Sequence, residues 1–347
     1  MKYSNNYIFY PVNKSLEQAI QSYISNLPDS VAENAKPDTA VTVPDNFTYT
    51  RGNFEQRRYS SNILDSAQEH YETLVDKLNL ESAPLEWATT QNHLGNILAA
   101  QGQQLRDESL YEKAIKAFIL AFEVFDQKNT PSDWATTQYN LGTASQALAR
   151  QLSDSKLFTN AADAYTNALL VWSKEQNPLE WALTMHQLGA TFHAHGKLLK
   201  GNRTLQKSVV AYKNALAEFD ADNSALELAA THNSRGAVLH HLGESEANTE
   251  RLEEAIRAYD KGLTVSMEQQ LPIHLSVLSK VNIATARGVL AVLTKDSTIM
   301  GEVADEFEVI LECFRDSLQP LCLKHCEEQL NKAESLASSA SHYNKVS

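Results

Sequence analysis

The sequence predicts an all-α solenoid built from stacked helix pairs, and three observations carry that prediction. First, Pro84-Leu85-Glu86-Trp87-Ala88 returns 47 residues later as Pro131-Ser132-Asp133-Trp134-Ala135, and after the same interval as Pro178-Leu179-Glu180-Trp181-Ala182. Fainter copies follow at Ala225-Leu226-Glu227-Leu228-Ala229 and Pro272-Ile273-His274-Leu275-Ser276. Second, each period holds two stripes at helical spacing, such as Trp87, Gln91, Leu94 and Leu98, then Tyr111, Ala114, Ile115, Phe118 and Phe122. Third, the register holds across units with no insertion: Gly95, Gly142, Gly189 and Gly236 form one ladder, and Phe118, Tyr165, Tyr212 and Tyr259 another. A fixed period of this length marks an array of identical supersecondary units.

The elements follow in order. Leu16, Ala19, Ile20, Tyr23, Ile24 and Leu27 form an apolar stripe, so Ser15 to Asn26 should be an amphipathic helix. Pro28 to Gly52 then reads as a tether, with prolines and a Thr/Val run that predict extended chain around 37–55. The helix has three destinations: capping the first repeat, lying in the groove, or pairing with a second chain. Stepping back one period from the second helices places a helix at Ser61 to Leu78, with Leu64, Ala67, Tyr71 and Leu74 on its packed face.

Each first helix should start at a capping side chain followed by proline and an acid, as in Thr130-Pro131-Ser132-Asp133 and Asn177-Pro178-Leu179-Glu180. Gly102, Gly196 and Gly243 are the expected stops. In each second helix the small residues Ala114, Ala161, Ser208 and Ala255 let helices approach, and the aromatic ladder fills the adjoining gap. Pro272 to Val292 and Met300 to Asp316 form a degenerate fifth unit, and Leu321 to Leu336 a closing helix. The chain thus divides into 1–60 (helix and linker), 61–316 (array), 317–337 (cap) and a disordered 338–347.

The array resembles the tetratricopeptide repeat family. The residues that carry the likeness are Leu94-Gly95, Ala114, Phe118, Ala121 and Pro131, with their equivalents in the next two units. It covers about Ser61 to Asp316. The usual period is about 34 residues, so each unit has roughly 13 more. These are placed before the Leu-Gly pair and between the helices, as in Gln103 to Ser109. Trp87-Ala88-Thr89-Thr90-Gln91-Asn92-His93-Leu94-Gly95 is similar to the long-period variety found in bacterial proteins. The resemblance implies a right-handed superhelix of antiparallel pairs that binds protein or peptide on its concave face. Some members grip a terminal carboxylate with asparagines and lysines. Asn96 and Asn140 match the asparagines, but Asn92, Leu183 and Gln187 stand where the basic residues would be, so that mode is not predicted.

Composition narrows the function. A net charge of −13 disfavours nucleic acid and anionic membranes. No apolar run of membrane-spanning length is evident, and Met1-Lys2-Tyr3-Ser4-Asn5-Asn6 lacks a signal-peptide core, which predicts the cytoplasm. Cys313, Cys322 and Cys326 suggest no disulfide framework, and the last two fit a buried helix face. No phosphate loop, nucleophile elbow or zinc-protease motif is present. No catalytic residue, metal or cofactor is therefore expected. His193 and His240 repeat one phase, but structural zinc normally takes four ligands.

The concave stripe is expected between the packing positions: Asn92, Tyr139, His186, Asn233 and Lys280 in one phase, Asn96 and Thr143 in a second, His193, His240 and Arg287 in a third. Its basic C-terminal end would favour an acidic peptide. Arg235 replaces the ladder leucine and should need a carboxylate, Glu227 or Glu218. The expected function is a non-catalytic protein- or peptide-binding scaffold. The alternatives are a peptide-responsive regulator and, with no motif in its favour, an enzyme. The oligomeric state is open, with self-association through the N-terminal helix as one route.

Overall fold

The computed structural model describes residues 14–26 and 61–343, and its described residues are all-α. The extended segment expected around 37–55 lies outside them. The N-terminal helix α1 spans Lys14–Ser25 and α2 spans Ser61–Lys77. Helices then alternate. The first helices are α3 (Pro84–Leu105), α5 (Pro131–Leu152), α7 (Pro178–Leu199), α9 (Ala225–Glu246) and α11 (Ile273–Thr294), each 22 residues long. The second helices are α4 (Glu108–Ala121), α6 (Ser155–Ala168), α8 (Asn202–Ala215), α10 (Thr249–Glu268) and α12 (Ser297–Phe314). A 3₁₀ turn, Arg315–Ser317, leads to α13 (Pro320–Tyr343), which runs past the expected end at Leu336 into the stretch predicted to lack structure.

Two compact units result, one ending at Thr204 and the other beginning at Leu205. In the first, α2 through α7 pack neighbour on neighbour, with α1 resting mainly on α3. In the second, α9 through α13 pack in the same sequential way.

The first helices do not stop where the glycines predicted. Gly102, Gly196 and Gly243 lie inside them, and the left-handed closing residues are Arg106, Ser153, Lys200, Ala247 and Lys295, with φ between 49° and 55°. Gly102 and Gly243 serve close approach instead. A Cβ on Gly102 would sit 3.2 Å from the Tyr111 ring, and one on Gly243 would sit 2.8 Å from Leu252 Cγ. The added residues of the long period are therefore helix, and Arg106-Asp107 is all that separates α3 from α4. Four of the five turns end on a side-chain cap, the exception being Lys200-Gly201 before α8. Asp107 accepts the Ser109 N–H, Asp154 those of Lys156 and Leu157, Asn248 that of Arg251, and Asp296 those of Thr298 and Ile299.

Pro84, Pro131 and Pro178 do open their helices, but Thr130, Asn177 and Ser224 make no side-chain bond to the helix they precede. The hydroxyls reach back instead. Thr130 Oγ1 accepts the Asp126 N–H and donates to the Asp126 carbonyl, and Ser224 does the same with Asp220. The carboxylates of Asp126 and Asp220 accept the N–H groups two and three residues on, which closes the entry loop.

The glycine and aromatic ladders explain one another. A Cβ on Gly95 would lie 2.6 Å from Phe118 Cε1, on Gly142 2.8 Å from Tyr165 Cε1, and on Gly236 2.7 Å from Tyr259. The rings lie flush against helix backbone and are buried. Trp87, Trp134 and Trp181 are half-buried. Trp87 and Trp134 flank Ala88, Ala121 and Phe125. Helix α11 is long and apolar enough to span a membrane by composition. Its Val277, Val281, Ala284 and Ala291 pack against α12 and α13.

Candidate partner-binding face

The expected binding stripe turns out to be mostly interior. Asn96, His186, His193, Asn233 and His240 are buried, Asn92, Tyr139, Thr143 and Arg287 are half-buried, and Lys280 is exposed. In the first unit, Asn96 Nδ2 donates to the Asn92 carbonyl at 2.8 Å, and Asn140 Nδ2 donates to Asn92 Oδ1 at 3.2 Å. Thr143 Oγ1 donates to the Tyr139 carbonyl and pairs with the Tyr165 hydroxyl, both at 3.1 Å. In the second unit, Asn233 and Ser279 exchange hydrogen bonds at 2.9 and 3.1 Å. These groups are satisfied inside the protein, and their phase is a packing phase.

The basic end of the stripe is reduced, with Lys280 its one exposed member. His240 is pushed down to about 4, by burial first, and stays neutral at pH 7. His186 is pushed down to about 3, by burial and then by the charge of Arg150. Arg287 is paired with Glu302 and Glu306. Fewer charges are therefore free to favour an acidic peptide there than the sequence suggested. Arg235 pairs with Glu254 from α10, not with Glu227 or Glu218. Cys322 and Cys326 are buried beside α11 and α12, and the hydrogen bond to Cys326, with burial, raises the Cys322 thiol. Among the described residues, no three His, Cys, Asp or Glu side chains converge on a point a metal could occupy.

The first unit holds a cleft of about 320 Å³ between α1 and the first helices α3, α5 and α7. Ser132, Thr136, Tyr139, Thr143 and Ala147 line it along α5, spaced three or four residues apart as one helix face requires. Glu180, Leu183 and Gln187 do the same along α7, Ala99, Ala100 and Gln103 along α3, and Ser15, Leu16 and Gln18 close it from α1. Tyr139 and Trp172 form its aromatic wall, with ring centroids 5.8 Å apart. Burial raises the Tyr139 phenol, and its bond to Gln187 opposes this in part. Behind Gln187, Gln146 Nε2 donates to the Gln187 carbonyl at 3.2 Å and to Thr191 Oγ1 at 2.6 Å, which fixes α7 against α5.

The lining combines rings and small aliphatics with neutral amides and hydroxyls. Such a surface can seat an apolar side chain and hydrogen-bond a peptide backbone, and its volume is at the small end of ligand clefts. Of the expected site residues, Tyr139 and Thr143 line it. Thr136 and Trp172 were not singled out from the sequence, and Leu183 and Gln187 only as places where a carboxylate grip would need basic residues. Trp172 had a readable signal, because Phe125, Trp172 and Phe219 recur at the 47-residue interval and all three are buried. No family model matches this chain, and no curated protein matches it.

Proposed function

We propose that the chain is a tetratricopeptide-type, non-catalytic scaffold that binds a short protein segment on the face formed by its first helices. The observation that supports this best is the cleft between α1, α3, α5 and α7, with the Tyr139 and Trp172 rings beside amide and hydroxyl side chains. The residues that bear the binding are Thr136, Tyr139, Thr143, Trp172, Leu183 and Gln187. Aromatic side chains in a concave site commonly act as anchors.

The test uses a random peptide library displayed on phage, panned on the full chain. Enriched peptides are then synthesised and titrated by calorimetry against wild type and Thr136→Trp, which fills the cleft. A loss of affinity of about tenfold or more, with helicity unchanged by circular dichroism, supports the reading. Equal affinity for both proteins moves the site elsewhere.

A further inference from the structure

Helix α1 is tied to the array by contact more than by chain continuity. Thirty-five residues, 26–60, separate it from α2. Yet Ala19 and Ile20 are fully buried and Tyr23 nearly so, in one cluster with Leu94, Ile97 and Leu98 of α3 and Leu64 and Tyr71 of α2. The Tyr71 hydroxyl donates to the Ala19 carbonyl, and the Tyr23 ring lies tilted against His70 with centroids 5.3 Å apart. The opposite side of α1, with Gln18, Gln21 and Ser25, faces water. A helix of 12 residues is too short to hold together alone in water, so its seat on α3 is what makes it helical. The surface therefore already folds and holds an amphipathic helix. The cleft opens directly beyond the N-terminal turn of that helix, at Ser15, Leu16 and Gln18, and leads to Tyr139 and Trp172.

From this continuity we propose that α1 is a resident occupant of a helix-binding face, and that the partner is a longer amphipathic helix. That helix carries the same stripe of small and large apolar residues, displaces α1 from α3, and extends past it into the cleft. The proposal rests on the peptide-binding reading above and names its ligand class. Tethering gives α1 an effective concentration of about millimolar, so a segment with micromolar intrinsic affinity keeps its seat about a thousandfold over. The partner gains the contacts in the cleft that α1 does not make.

The probe is a fluorescein-labelled synthetic peptide of residues 14–26, read by anisotropy. The receptor is the full chain carrying a protease site in the 27–60 segment, compared before and after cutting. The expected result is binding at least tenfold tighter after the cut, once the freed segment has been diluted away. The uncut Ile20→Asp chain should bind the probe as the cut chain does. A probe carrying the same I20D change should bind neither. If the cut segment stays with the array through gel filtration and the probe does not exchange with it, α1 is a permanent part of the fold and the proposal fails. Equal affinity before and after cutting also overturns it. Library peptides that bind the cleft whatever the state of α1 would leave the peptide-binding reading standing and remove this one.

Discussion

One added methyl group discriminates between the two kinds of glycine in this chain. At Gly95 a Cβ would meet the buried Phe118 ring at 2.6 Å, whereas at Gly301 in α12 nothing lies within 4 Å. Gly95→Ala should therefore lose about 1–3 kcal/mol, the usual cost of overpacking. Gly301→Ala should gain up to about 1 kcal/mol through helix propensity. Chemical denaturation of both variants checks the pair, and opposite signs are expected. This ladder was legible in the sequence because its packing repeats with the fold. The polar positions between were not. Asn92, His186 and Asn233 differ from unit to unit, which reads as solvent-facing variation. His186 and Asn233 are buried, and the Asn233 amide is bonded to Ser279 of α11, a residue with its own local fit. Variation along one phase looks the same whether water or a particular neighbour satisfies the side chain.

At the scale of the element, the second helices depend on side-chain caps that the first helices lack. Asp154 accepts two N–H groups at the start of α6, at 2.7 and 3.1 Å. Asp154→Ala should cost about 1 kcal/mol, while Thr130→Val should leave α5 itself intact and loosen the Asp126 loop before it. Amide hydrogen exchange separates the two, with early exchange in α6 in the first variant and in residues 126–129 in the second. The existence and order of the helices were readable from periodicity. Their ends were not, because Gly102 and Gly243 looked like stops and are instead points where a second helix comes close. A glycine required for space and one required for backbone conformation look alike until the neighbouring helix is in place.

Across the whole molecule, burial keeps several imidazoles neutral. His93 and His186 in the first unit are held near 4 and 3, and His232, His240 and His274 in the second near 4. Each folded value lies below the unfolded value of 6.5, so the unfolded chain binds more protons as the pH drops. The stability these groups contribute is present above pH 6.5 and is lost as the pH falls from there toward each folded value. Each group removes up to about 1.4 kcal/mol per pH unit in that window. The melting temperature should therefore fall steadily between pH 6.5 and 4.5. In His186→Gln the fall should be shallower, so that the gap to wild type narrows with acid. Parallel slopes would show that His186 titrates normally in the folded chain. The array as a class was legible at this scale, but the acid response was not, because it depends on which histidines the packing closes over.

The turns between paired helices carry a last consequence. Arg106, Ser153, Lys200, Ala247 and Lys295 share one left-handed geometry, although glycine suits it better than any of them. Four residue types in one conformation mean that the closing helix and the following cap impose the shape, and the local residue is along for it. The array therefore carries unused stability. Replacing all five with glycine should raise the unfolding free energy by about 3 kcal/mol, since relief of left-handed strain exceeds the entropy glycine adds to the unfolded chain. The sites are far apart in the chain, so the gains should nearly add in a denaturant titration. Natural chains settle above a threshold of stability and drift there, and these turns are where that drift can be read directly from the backbone.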